Sequence, residues 1–109
     1  KTSTENFSAP AILDDILVWG SLEGILYGVS ATDGEVLWTF PTDDIIFSAP
    51  AIANGVVYFG SHDKNLYAVD YRTGKQLWQF RAESGVSSPA IDNGIVYVGT
   101  LDGAFYALQ

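Results

Sequence analysis

The sequence has 109 residues, enough for one small domain or a part of a larger one. Nearly half of it (48%) is apolar and 14% is aromatic, which predicts a packed core and argues against a disordered chain. Thirteen acidic against five basic residues give a net charge of -8, which argues against nucleic acid and anionic membrane surfaces as partners, and the absence of cysteine excludes disulfides, zinc–thiolate sites and a cysteine nucleophile.

No stretch approaches the ~18 consecutive apolar residues of a membrane helix. The opening residues, Lys1 to Phe7, carry no apolar run behind the lysine, so they do not read as a signal peptide.

From Ser8 onward the chain repeats itself. Ser8-Ala9-Pro10-Ala11-Ile12 returns as Ser48-Ala49-Pro50-Ala51-Ile52 and as Ser88-Pro89-Ala90-Ile91. Gly20, Gly60 and Gly99 follow at a common offset, as do Tyr27, Tyr67 and Tyr106, so the period is 40 and then 39 residues. Gly34 matches Gly74, and Trp38 matches Trp78. Within each unit the elements read as short strands. The first is Ala-Pro-Ala-Ile, with proline at its start, where a missing N–H does least harm. The second is Ile16–Gly20, Val56–Gly60 or Ile95–Gly99, rich in β-branched and aromatic residues. The third is Leu26–Val29, Leu66–Val69 or Phe105–Leu108, and the fourth is Val36–Phe40 or Gln76–Phe80.

Hairpin turns separate the strands. Asn54-Gly55 and Asn93-Gly94 suit two-residue turns because both residue types tolerate positive φ. Asp14-Asp15 holds the same place in the first unit and is less comfortable there. Glu23-Gly24, Asp63-Lys64 and Asp102-Gly103 join the second and third strands, and Asp33-Gly34 and Thr73-Gly74 precede the fourth. No segment carries a helical period. A repeated four-stranded meander of about 40 residues predicts an all-β propeller architecture. Residues 1–40 form one blade, 41–80 a second, and 81–109 a third that lacks its outer strand.

The second unit reads Ala68-Val69-Asp70-Tyr71-Arg72-Thr73-Gly74-Lys75-Gln76-Leu77-Trp78. It resembles the tryptophan-docking motif of pyrroloquinoline-quinone-type propeller repeats, Ala-x-Asp-x-x-Thr-Gly-Lys-x-x-Trp. In the first unit Thr32-Asp33, Gly34 and Trp38 fit, while Gly28 and Ser30 replace the alanine and aspartate. The resemblance covers essentially the whole chain. The motif's roles follow from its chemistry. Asp70 can accept hydrogen bonds from the turn ahead of it, and Gly74 can take a positive φ. The resemblance implies that Trp38 and Trp78 lie against a neighbouring blade, with burial of each indole worth about 2–3 kcal/mol.

About three blades leave two apolar faces uncovered, since a closed propeller needs about four or more. The segment is expected either to belong to a longer propeller or to be completed by further copies of itself. The quinone-dependent dehydrogenases of this family imply a long chain, a pocket on the propeller axis and usually calcium. Here no cofactor-binding, metal-ligating or catalytic residue is expected. Asp14-Asp15 and Asp43-Asp44 lack further ligands at a usable spacing, and His62 has no nucleophile beside it. Ser87-Ser88 falls at a repeat position.

The expected function is a non-catalytic scaffold or protein-interaction surface, bound to a protein partner or to further blades. The varied loop Ile45-Ile46-Phe47 is the candidate contact, or else packing near the axis. The open alternatives are a fragment of a quinone- and calcium-dependent dehydrogenase and an engineered repeat array with no natural task. The resemblance alone implies a periplasmic or extracellular address.

Overall fold

The computed structural model describes residues 11–21, 23–46 and 49–108. It contains three antiparallel sheets and, among the described residues, no helix. The first sheet orders β1 (Ala11–Leu13), β2 (Ile16–Gly20), β3 (Ile25–Ser30) and β4 (Val36–Pro41) as a meander. The second repeats it with β5 (Ala51–Ala53), β6 (Val56–Gly60), β7 (Asn65–Asp70) and β8 (Gln76–Arg81). The third holds β9 (Ala90–Asp92), β10 (Ile95–Gly99) and β11 (Phe105–Leu108). The all-β propeller reading of the sequence is thus borne out. The strands β4 and β8 each run one residue further than the alternation implied.

The turns obey their residues. Asn54 and Asn93 take φ of 53° and 52°, followed by Gly55 and Gly94 at 77°. Asp14 adopts the same left-handed conformation at 55°, so the aspartate conforms to the repeat despite its poorer suitability. Lys64 is the costlier case. Its φ of 79° stands where Gly24 and Gly103 have 86° and 92°. The proline-led first strands begin one residue after the proline, at Ala51 and Ala90, because pairing needs the N–H that proline lacks.

The register repeats as well. Val18 faces Gly28 and Gly28 faces Trp38; Tyr58 faces Ala68 and Ala68 faces Trp78. A register shift follows Gly28 and Ala68 alike, between β3 and β4 and between β7 and β8. The first strands of successive sheets approach one another, β1 to β5 and β5 to β9, so the sheets stack around a common inner side.

Two hydrophobic clusters fill the spaces between sheets. The first joins Val18, Leu26 and Trp38 to Phe59, Tyr67 and Val69. The second joins Leu66 of β7 to Val86, Val96 and Val98 of the third unit. The middle sheet is therefore covered on both faces, and β7 is buried along nearly its whole length.

Candidate functional site

The chemistry-bearing feature of this fold is the turn between the third and fourth strands and the indole that meets it. In the second unit that turn is closed twice by the backbone. Asp70 N–H donates to Lys75 O at 2.8 Å, and Gly74 N–H donates to Asp70 O at 2.7 Å. The Asp70 carboxylate accepts from Arg72 N–H at 2.8 Å and Thr73 N–H at 3.2 Å. The first unit builds the same turn with other groups. Ser30 Oγ accepts from Thr32 N–H at 3.3 Å, and Asp33 Oδ1 accepts from Glu35 N–H at 3.0 Å. Serine therefore takes over the aspartate's acceptor role at this position.

Trp38 lies across the first boundary. Its ring is buried, and its Nε1–H donates to Tyr71 O, in the second unit's turn, at 2.8 Å. Gly74, at φ 74°, sits on the indole so closely that a Cβ there would stand 2.6 Å from the ring. On the other side Gly28 makes room, because a Cβ there would fall 2.2 Å from the same ring. The glycine that departs from the motif's alanine thus lets Trp38 lie flat on its own sheet. Tyr71 closes the arrangement. Its hydroxyl donates to Asp14 Oδ2 at 2.7 Å, and the Arg72 guanidinium stacks 4.8 Å from the Tyr71 ring centroid. Arg72 also pairs with Asp14 at 3.5 Å, both side chains being well exposed, so this ion pair adds little. The Asp14 carboxylate, with some burial, holds the Tyr71 phenol above its ordinary range.

The sequence marked Gly28 as a departure from the motif, Asp14 as a turn residue and Tyr71 only as a position inside the motif, and it did not bring the three together around Trp38. Gly28 had a signal, since it replaces alanine directly opposite a tryptophan. The pairing of Tyr71 with Asp14 had none, because they stand 57 positions apart along the chain.

Trp78 differs from Trp38 in the contacts that it makes among the described residues. Trp78 remains 37% exposed and meets Tyr58 of its own sheet, with ring centroids 5.8 Å apart. Among the described residues no turn equivalent to that of Tyr71 and Gly74 stands opposite it. Beside it opens a cleft of about 290 Å³ lined by Trp78, Gln79, Phe80 and Leu108. Gly34 shows the converse. It has the φ of Gly74, 76°, but a Cβ there would meet nothing within 4 Å. Ala68 is fully buried in β7.

In the loop read as a contact or as packing near the axis, the described residues face inward. Ile46 is fully buried and presses on Gly20, where a Cβ would lie 2.2 Å from Ile46 Cγ2. Its N–H donates to Ser21 O at 3.1 Å, which turns the side chain inward. Val86 repeats the arrangement on Ser61 and Gly60. Ile45 is half-buried, with its carbonyl accepting from His62 N–H, and Phe47 lies outside the described residues. Ser88 Oγ accepts from Ala49 N–H at 2.7 Å, a tie between the second and third units. No group of three His, Asp or Glu side chains that could hold a metal occurs among the described residues.

Three stacked antiparallel meanders around a common inner side define a class, the β-propellers. The family model described as outer membrane protein assembly factor BamB matches residues 3–109, and the chain belongs to that PQQ-like repeat family. No curated protein matches the sequence. Among solved structures, the computationally designed Ika4 protein superposes with a TM-score of 0.84 at 24% identity, over 94% of this chain and 65% of that one. The WD40 propeller domain of Doa1 gives 0.88 at 18%, over 98% and 38%. The quinohemoprotein alcohol dehydrogenase from Comamonas testosteroni gives 0.76 at 23%, over 84% and 16%. At these identities the likeness is one of fold, and the chain spans at most 65% of these neighbours' length.

Proposed function

We propose that this chain is a non-catalytic propeller segment that acts as a scaffold or protein-interaction surface. The observation that carries the reading is the Trp38 indole seated on the Tyr71–Gly74 turn, together with a cleft lined by Trp78, Phe80 and Leu108. A motif that docks one sheet on the next within the chain is a means of docking polypeptide in general. Phe105, 70% exposed, and Leu101, 63% exposed, are further apolar side chains open to solvent on the third unit. The family's namesake, an outer membrane protein assembly factor, fits the same kind of work.

The rival reading is a portion of a quinone-dependent dehydrogenase, favoured by the dehydrogenase among the fold neighbours. Adding pyrroloquinoline quinone and calcium and following dye reduction with alcohols or glucose separates the two. The scaffold reading expects no reduction above the protein-free control. Turnover that depends on both quinone and chain would overturn it. An engineered repeat array is compatible with the same fold and would give the same silence in this assay.

A further inference from the structure

We infer that the Asn-Gly hairpins are sites of spontaneous covalent modification, and that the one at Asn54-Gly55 is coupled to the seat of Trp38 between the first two sheets. The reaction is deamidation. The Gly55 amide nitrogen gives up its proton and attacks Asn54 Cγ. The bond from Cγ to Nδ2 breaks, ammonia leaves, and a cyclic imide remains. Water then opens the imide. Breaking the bond from Gly55 N to Cγ yields aspartate. Breaking the bond from Gly55 N to the main-chain carbonyl carbon of residue 54 yields isoaspartate.

The fold selects these turns. Asn54 and Asn93 are exposed, whereas Asn65 is buried at the start of β7. A glycine follows each exposed asparagine, so no side chain shields the attacking nitrogen. Gly55 and Gly94 lie in the turns, outside the paired residues of β5 with β6 and of β9 with β10. Leu66, which follows Asn65, is paired on both sides, with Gly60 and with Phe80. Exposure belongs to the position itself. Asp14 holds it in the first unit and is 60% exposed even with Tyr71 and Arg72 of the second unit beside it.

The two products differ in what the fold accepts. Aspartate already stands at this place, since Asp14 holds φ 55° where Asn54 has 53° and Asn93 has 52°. Isoaspartate instead inserts an extra backbone carbon into the turn, and turn length fixes strand register. The pairing of Ala53 with Val56 across the turn is then lost. At Asn54 the damage has a route inward. Gly55 O accepts from Tyr71 N–H at 3.1 Å, and Tyr71 O accepts from the Trp38 indole N–H at 2.8 Å. A shifted Gly55 therefore disturbs the carbonyl on which Trp38 is seated. Asn93-Gly94 belongs to the third sheet, whereas Trp38 packs between the first and the second.

The test incubates the full chain, folded, at mildly alkaline pH, where the glycine nitrogen loses its proton more readily. Peptide mapping by mass follows the amide-to-acid exchange at each asparagine, and anion exchange separates the more acidic products. Asn54 and Asn93 are expected to react at least tenfold faster than Asn65. Equal rates at all three would overturn the selection by the fold. So would a folded chain that stays unreacted while the same chain in urea reacts, because the turn then protects its asparagine. The coupling is read from the Trp38 indole N–H resonance, assigned by replacing each tryptophan in turn with phenylalanine. Isoaspartate at 54 is expected to move it and to lower the urea midpoint. Asn54→Asp is expected to leave both unchanged, and isoaspartate at 93 to leave the Trp38 resonance in place. Asn54→Gly, which keeps the turn but has no amide to lose, should abolish the change at Trp38 on incubation. A Trp38 resonance indifferent to isoaspartate at 54, or one that moves as much in Asn54→Gly, would overturn the coupling.

Discussion

At the scale of single residues, the two turn glycines offer a controlled comparison. Gly34 and Gly74 share a positive φ, 76° and 74°, but only Gly74 touches an indole. Gly34→Ala is expected to cost only the left-handed backbone penalty, about 1 kcal/mol. Gly74→Ala should cost a further 1–3 kcal/mol or so, because the added methyl collides with Trp38. Equal shifts in urea midpoint would mean that the indole is not seated there. Trp38→Ala should cost about 3–5 kcal/mol, as buried aromatic truncations do. Trp78→Ala should cost about 1 kcal/mol or less, since that ring is over a third exposed. Much of this was legible in the sequence. Gly74 and Asp70 could be assigned their roles because a turn's demand for positive φ and for a local acceptor depends only on near neighbours. The exposure of Trp78 was not legible. Its immediate sequence, Gln-Leu-Trp-Gln-Phe, promises the same burial as Val-Leu-Trp-Thr-Phe around Trp38.

At the scale of elements, the hairpins and their polar caps set the local stability. Lys64 bears a side chain at φ 79° where its counterparts are glycines, so Lys64→Gly should stabilise by about 1 kcal/mol or less after glycine's entropic cost. A lower urea midpoint for the variant would contradict the repeat logic. The β6–β7 hairpin also carries a pH response. Burial, and then the hydrogen bond to Asp63, push the Tyr67 phenol well above its usual range. A raised folded pKa means that the unfolded chain loses its proton first as pH rises. This contribution is complete below the unfolded value of about 10 and declines above it. Denaturant midpoints should therefore fall above that pH, and Tyr67→Phe should flatten the decline. An unchanged slope would locate the response elsewhere. The element scale also decides between the two readings, contact or packing near the axis, that the sequence left open for Ile46. Ile45-Ile46-Phe47 shows three apolar residues in a connection, which as a string suits a sticky surface equally well. The backbone bond from Ile46 N–H to Ser21 O turns the Ile46 side chain onto Gly20.

At the scale of the molecule, the stack is unequal along its length. The middle sheet is covered on both faces, with Leu66, Ala68 and Val69 fully buried. In β11 the counterpart of Leu66 is Phe105, which is 70% exposed. Amide exchange should therefore be slowest in β6 and β7 and fastest in β11, by at least a hundredfold, and uniform protection across the three sheets would contradict this stacking. Repeat proteins of this kind draw stability from neighbour contacts, so covering the third unit should raise the cooperativity of the whole stack.

The repeat, the strands and their turns were determined by the sequence itself, because φ preference, two-residue alternation and side-chain capping act over a few residues. Membership of the PQQ-like repeat family follows from the same local signals. Which indole is covered, which glycine is in contact and which isoleucine turns inward were decided only in three dimensions. Burial depends on what the next sheet places opposite a residue, and units with nearly the same local sequence meet different neighbours.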